Sequence, residues 1–328
     1  MFFEREAPYY ARRRDFTACD YCELVLYDEW TNIRQCVLRR ARQADVVVTA
    51  SYLPDGARIS RELLDIDGPL HVFYDLDTPI TLHRMQSEDV DYLSPELIAE
   101  FDLYLSFTGG TILTVLTEDF GARLVRPLYG CVDPDVYVRD TVDRRFTCDL
   151  SFMGTYSPDR AASVRELFVG VARTLPSQTF LLAGSMYPHD WNWPANLERI
   201  EHVGPTDHPA LYSSSRATLN LTRREMARWG YCPSGRFFEA AACGTPLLTD
   251  YWDGLDYFFN PAEELFLAST TDDVVEALQS PEEELARHAA LARQRTLDQH
   301  TGRQRAKELL AYCEEARRSR PSVMETFS

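Results

Sequence analysis

Short apolar runs bounded by turn-forming residues alternate with amphipathic stretches along most of the chain. The runs read as buried strands and the stretches between them as helices. In the first half, strands are predicted at Leu24–Tyr27, Asp45–Thr49, Leu70–Tyr74, Asp102–Phe107 and Ala122–Val125. Helices are predicted at Trp30–Gln43, Asp55–Asp65, Pro95–Glu100 and Thr111–Asp119. The alternation breaks at Val132-Asp133-Pro134-Asp135 and the polar run Arg139–Arg145, then restarts. Strands follow at Cys148–Phe152, Thr179–Ala183, Ile200–Val203, Ala217–Leu221, Pro246–Thr249 and Leu265–Ala268. Helices lie at Pro158–Thr174, His208–Ser214, Gly235–Ala242 and Thr271–Gln279. The stretch Pro281–Arg318, rich in Glu, Ala, Arg and Leu, reads as one or two long helices, and Ser319–Ser328 as a frayed tail.

This alternation implies parallel sheets covered on both faces, an α/β fold of two doubly wound, Rossmann-like domains. The first is expected over 1–138 and the second over 146–280, with C-terminal helices at 281–318 and a tail at 319–328. Open parallel sheets bind ligands at the carboxyl ends of their strands, so a cleft between the two domains is the expected active site. Many enzymes share such an architecture, and the chemistry must be read from particular residues.

Composition narrows the classes. With 328 residues the chain can form two cores, and 45% hydrophobic with 26% charged residues is a globular balance. No apolar run reaches the ~18 residues of a membrane span. Met1-Phe2-Phe3-Glu4-Arg5 is too charged for a signal peptide, so a cytoplasmic protein is expected. A net charge of −17 argues against a nucleic-acid partner. The densest basic run, Arg12-Arg13-Arg14, reads as a solvated helix face, and Lys307 is the only lysine. Cys19-Asp20-Tyr21-Cys22 has redox or zinc spacing, but no second pair completes a site and the eight cysteines read as reduced structural thiols.

The segment Pro233-Ser234-Gly235-Arg236-Phe237-Phe238-Glu239-Ala240-Ala241-Ala242-Cys243-Gly244-Thr245-Pro246 carries the strongest chemical signal. A Ser/Gly turn opens a short helix, whose first N–H groups and dipole make an anion site. Glu239, one turn in, either accepts from two vicinal hydroxyls or merely stabilises the helix; the residues alone leave both readings open.

The same string resembles the C-terminal signature of the GT-B glycosyltransferases, in which a Glu before Ala-Cys-Gly-Thr-Pro holds the donor ribose. Arg126–Tyr137 resembles the interdomain segment of that group, and Phe152-Met153-Gly154-Thr155-Tyr156-Ser157-Pro158-Asp159-Arg160 its glycine loop and basic residue. Leu219-Asn220-Leu221-Thr222-Arg223, Tyr251–Phe259 and Phe73–Pro79 add to the match, which is most similar to the spore-maturation (CgeB-like) branch and runs over about 1–312.

The resemblance implies transfer of a sugar from a nucleoside diphosphate sugar, with UDP among the candidate nucleotides and the base and sugar open, to a hydroxyl or amine acceptor. It places the donor on Ser234, Gly235, Arg236 and Glu239, with Gly154, Thr155 and Arg160 in the glycine loop. Glu239 takes the ribose; Arg160 and Arg236 take the diphosphate, whose oxygens match guanidinium forks, and Arg223 is a third candidate. Gly254 either approaches the sugar and phosphates or forms a plain turn before a helix. No cofactor beyond the donor and no metal is expected, because the helix dipole and arginines suffice for the leaving group. Asp75-Leu76-Asp77 is taken as a coincidental metal-like spacing.

In the first domain, Asp75 and Asp77 follow a strand at the ligand end and are the candidate acid/base residues, against the alternative that Asp77 caps a helix. Thr108-Gly109-Gly110 opens a helix at the same end, to contact acceptor or phosphate, and Ser51–Gly56 is a further rim loop on the acceptor side. Two departures bear on mechanism. Retaining relatives carry a second Glu where this chain has Tyr231, so the stereochemical course is open. Phe2-Phe3-Glu4-Arg5-Glu6 resembles the family's second strand, so the first domain is expected either to be covered by a homodimer or to belong to a product extended upstream of Met1. Rival readings are a nucleotide-sugar epimerase, which would turn over donor without acceptor, and a non-catalytic nucleotide-sugar-binding subunit.

Overall fold

The computed structural model describes residues 1–6, 20–87 and 90–320. The run Arg12-Arg13-Arg14, Cys19 and all of the expected tail beyond Arg320 lie outside the described residues. The chain divides into two compact units, Met1–Leu128 with Ala306–Ser328, and Tyr129–Arg305. The division falls just ahead of the Val132–Phe146 stretch in which the sequence places it.

The first unit is built of parallel strands in two sheets. β1 (Phe2–Arg5) pairs with β2 (Leu24–Tyr27), while β3 (Val46–Ala50), β4 (Leu70–Asp75), β5 (Leu103–Ser106) and β6 (Val125–Pro127) pair in chain order. β6 begins later than the predicted Ala122–Val125. Helices Trp30–Ala41 and Gly56–Leu64 bury Trp30, Val37, Leu38, Ala41, Ile59 and Leu63, the spacing of one helical face. The helix Gly302–Ser319 contributes its later turns to this unit: Cys313 and Ala316 pack with Leu70, Val72, Leu103 and Leu105. Ion pairs Arg126–Glu315 and Arg320–Asp102 fix the same end of the chain.

The second unit holds β7 (Cys148–Met153), β8 (Phe180–Ala183), β9 (Leu197–Ile200), β10 (Ser215–Asn220), β11 (Leu247–Thr249) and β12 (Phe266–Leu267) in one parallel sheet of order β12-β11-β10-β7-β8-β9. The order reverses between β7 and β10, and doubly wound sheets bind ligands at such a reversal. β9 starts three residues ahead of the predicted Ile200. The predicted helix Pro158–Thr174 is a helix Ala161–Val164, a π-helical turn Arg165–Gly170 and a helix Val171–Thr174. The short helix Arg224–Trp229 has no counterpart in the sequence reading. Two apolar clusters cover the faces, one built on Phe237, Phe238, Phe258 and Phe259, the other on Phe152, Phe168, Phe180 and Leu219.

His300 closes the first of these clusters against Phe238, Phe258 and Phe259. Its Nε2–H donates to the Phe258 carbonyl at 3.2 Å and its Nδ1 accepts from Arg305 at 2.9 Å, which fixes a neutral ring. Burial, and then the Arg305 charge, push its pKa down to about 4. A depressed histidine contributes stability that is present above its unfolded pKa of about 6.5 and lost as pH falls towards the folded value. Acidifying from pH 7 to pH 4 is therefore expected to cost about 3 kcal/mol through this group alone. Urea unfolding across that range should show a correspondingly flatter dependence in His300→Phe; equal slopes would contradict the assignment.

Candidate functional site

The carboxyl ends of β7 and β10 and the helix Gly235–Ala242 gather most of the predicted donor residues within the second unit. The helix has the predicted bounds because Gly235 opens it and Gly244, at φ +71°, ends it in the left-handed region glycine favours. Its buried face is Phe237, Phe238, Ala240, Ala241 and Ala242. Ser234 occupies the N-cap, yet its side chain makes no capping hydrogen bond and no acidic residue stands in the first turn. No side chain caps the positive end of this helix.

Three arginines add to that positive field. Arg160, 4% exposed, donates from Nη2 to the Thr155 carbonyl at 2.6 Å and from Nη1 to the Leu221 carbonyl at 3.4 Å. Its guanidinium stands 5.4 Å from the Phe152 ring centroid, and its buried Nε has no partner among the described residues. Burial, and then the Arg236 charge, push its pKa down to about 10, and Arg223 adds to the effect. Arg223 pairs with Asp159 at 3.4 Å, whereas Arg236, half-buried, forms no hydrogen bond or ion pair among the described residues. Asp250, half-buried beyond β11, accepts from the backbone N–H and hydroxyl of Thr222 and so fixes the residue before Arg223; desolvation raises its pKa. Like charges gathered on a helix N-terminus repel one another, and an anion with several oxygens relieves that repulsion.

The glycines are there for close approach. A Cβ on Gly154 would lie 2.9 Å from Arg160 Nη2, and one on Gly184 would lie 2.1 Å from the Gly154 carbonyl oxygen. Tyr187 donates to that same oxygen at 2.9 Å, so the exposed Thr155 stands on a loop held from behind. Gly254 has φ +84° and leads into the helix Leu255–Phe258; a Cβ there would lie 2.6 Å from the Tyr231 ring. Its lack of a side chain serves that packing. Tyr231 itself has φ +45°.

Glu239 lies one turn into the helix, with His208 Nδ1 3.6 Å from its Oε2 and the Tyr212 hydroxyl donating to the same oxygen at 3.4 Å. Neither neighbour was legible in the sequence, because they stand 31 and 27 residues away and carry no local motif.

In the first unit the two candidate acid/base residues part ways. Asp75 is fully buried: Tyr104 and Thr81 donate to its carboxylate at 2.7 and 2.9 Å, and the Asp77 N–H at 3.2 Å. Burial raises its pKa. With no surface open to a substrate, Asp75 is a positioning residue that holds the Asp77 backbone, which corrects its assignment as a catalytic group. Asp77 is half-buried and accepts from the Tyr52 hydroxyl at 2.7 Å. It stands at the N-cap of the helix Thr78–Met85, but its side chain does not cap it, so the capping alternative is not realised. Tyr52, in the rim loop, has φ +67° and packs 5.3 Å from Tyr92. Thr108 is buried, its N–H bonded to the Ser106 hydroxyl.

Among the described residues no group of three or more His, Cys, Asp or Glu side chains is placed to hold a metal, and every cysteine described is a free thiol. No helix described is long and apolar enough to cross a membrane.

Solved structures share this fold. A sucrose-phosphate synthase from Thermosynechococcus elongatus superposes with a TM-score of 0.68 at 11% identity, covering 97% of this chain and 88% of that one. An alpha-glucosyltransferase in complex with UDP-glucose and DNA gives 0.70 at 13% identity, covering 89% and 85%. The fold is that of the GT-B glycosyltransferases. Anabaena HepE in complex with UDP-glucose gives 0.62 at 12% identity, covering 88% and 85%. Residues 160–311, which include Arg160, Arg223, Arg236 and Glu239, match the family model described as glycosyl transferase-like. Among curated proteins none matches the sequence.

Proposed function

We propose that the protein is a glycosyltransferase that moves a sugar from a UDP-linked donor to a hydroxyl or amine acceptor, within the spore-maturation (CgeB-like) branch of the GT-B fold. The observation that carries this reading is the gathering of Arg160 and Arg223 with Arg236, which stands on the first turn of the helix Gly235–Ala242, only partly offset by Asp159, with Glu239 one turn further in. A diphosphate supplies the charge this cluster lacks, and a ribose supplies the vicinal hydroxyls a carboxylate accepts from. The match over residues 160–311 and the UDP-glucose named with two of the similar structures support the same reading.

In the reaction the acceptor oxygen or nitrogen bonds to the anomeric carbon, the bond from that carbon to the diphosphate breaks, and the diphosphate leaves with the electron pair. Arg160, Arg236 and the helix N-terminus stabilise its growing charge. Asp77 is proposed as the base that receives the acceptor proton. With arginines and the helix dipole at the leaving group, no divalent cation enters the reaction. The acidic chain favours a small-molecule, glycan or peptide acceptor over a nucleic acid.

A thermal-shift screen with nucleoside diphosphates and their sugars tests the reading, followed by assay of UDP release with and without acceptors. Stabilisation by UDP and its sugars, with acceptor-dependent UDP release that survives chelation of divalent metals, is the expected result. Donor turnover without acceptor would identify an epimerase instead. Glu239→Gln should weaken UDP binding by roughly 1–3 kcal/mol, the contribution of hydrogen bonds to a charged group, without unfolding the protein. Unchanged affinity in calorimetry would return Glu239 to a helix-stabilising role.

A further inference from the structure

Glu239 is held by neighbours that the donor reading does not use. Both contacts fall on one oxygen, Oε2, while Oε1 lies 3.9 Å from where a Cβ on Gly235 would sit, on the side of the first helical turn. Tyr212 is 1% exposed, and Thr245 donates to its carbonyl at 2.7 Å, which fixes its backbone. Burial, and then the charge of Glu239, raise the Tyr212 pKa well above that of a free phenol, so the hydroxyl remains a donor.

The orientation of His208 is fixed from its far side. Its Nε2 lies 3.3 Å from the Val203 carbonyl, which only accepts, so Nε2 carries a proton in either charge state. Nδ1 then faces inward, 3.3 Å from the Tyr137 hydroxyl and 3.6 Å from Glu239 Oε2, and with Nε2 already protonated it donates to that carboxylate only as the imidazolium. His208 and Tyr212 stand on one helix, His208–Ser214, and meet the same carboxylate oxygen, while Tyr137 reaches His208 rather than Glu239.

We propose that Tyr212 and His208 are positioning residues that turn Glu239 Oε2 inward and present Oε1 to the ribose, and so set a preference for ribonucleotide over 2′-deoxyribonucleotide donors. The inference rests on the reading of this site as the seat of a nucleoside diphosphate. A glutamate side chain that swings freely loses rotamer entropy on meeting a diol, and one held in place does not. An oriented Oε1 keeps lone pairs for the 2′ and 3′ hydroxyls, and removal of the 2′ hydroxyl leaves it short of a donor.

Calorimetric dissociation constants for UDP and 2′-deoxy-UDP test this in the wild type, Tyr212→Phe, His208→Gln and His208→Asn. The wild type is expected to favour UDP by about tenfold, one hydrogen bond to a charged group. Tyr212→Phe and His208→Gln should reduce that ratio to about threefold or less, the second because glutamine keeps a donor for Val203 but puts none at Nδ1. His208→Asn places an amide where Nδ1 stands and should keep the ratio near the wild-type value. A general packing defect would weaken both nucleotides alike and leave the ratio unchanged. If the wild type discriminates and both Tyr212→Phe and His208→Gln discriminate equally well, the positioning role is overturned while the donor reading stands. If the wild type binds both nucleotides alike, the ribose assignment of Glu239 falls, and this inference with it. Should Tyr212→Phe not fold, the two His208 variants decide.

Discussion

Replacing Arg160 with methionine is expected to lower affinity for UDP about a hundredfold, the roughly 3 kcal/mol of a buried charge-assisted pair, while leaving the ligand-free protein as stable as before. The two effects diverge because the guanidinium is buried and makes no ion pair of its own among the described residues, Asp159 and Tyr187 offsetting its charge only in part. Its Nε has no partner, and Arg236 and Arg223 disfavour its charge. Methionine fills a similar volume against Phe152 without a charge to desolvate, and such replacements are often neutral or stabilising. The loss of donors to the Thr155 and Leu221 carbonyls works in the other direction and is modest. Thermal melts with and without UDP would check both halves. A variant that melts much earlier but binds as before would make Arg160 a structural residue.

Gly184→Ala is expected to have the largest effect on folding. Its added Cβ would meet the Gly154 carbonyl oxygen at 2.1 Å and the carbonyl carbon at 2.7 Å, and backbone cannot swing aside as a side-chain tip can. β7 and β8 are neighbours in the sheet, so separating Gly154 from Gly184 strains their pairing as well, where Gly154 N–H donates to the Ala183 carbonyl at 2.8 Å. A destabilisation of about 3 kcal/mol or more follows from overpacking a site that cannot relax. Chemical denaturation measures it, and the variant should also lose UDP affinity because the Gly154 loop carries the Thr155 carbonyl that holds Arg160. A change in stability below about 1 kcal/mol would show that the loop yields more readily than its contacts indicate.

The two-unit α/β plan and the helix Gly235–Ala242 were legible because their signals are local: buried apolar runs, an opening Ser-Gly and a closing Gly244. Where the signal was weak, edges moved. β9 shifted because Leu197–Ile200 includes Glu198 and Arg199 and reads as polar, and Arg224–Trp229 has a composition that suits a loop as well as a helix. The site was legible only as far as motifs reach. Asp75 and Asp77 look alike in sequence, yet only the fold shows that Tyr104 and Thr81 enclose one and Tyr52 holds the other at the rim. Tyr212 and His208 meet Glu239 through tertiary packing, with Tyr137 against His208, which spacing along the chain does not encode.

The central claim is that the second unit grips a diphosphate at the start of the helix Gly235–Ala242. Titration calorimetry of the wild-type protein with uridine, UMP and UDP at fixed ionic strength tests it most directly. The account predicts that UDP binds at least about tenfold more tightly than UMP, since a second phosphate meets Arg160 or Arg236, and that added salt erodes the difference. UDP binding no tighter than UMP or uridine would contradict it.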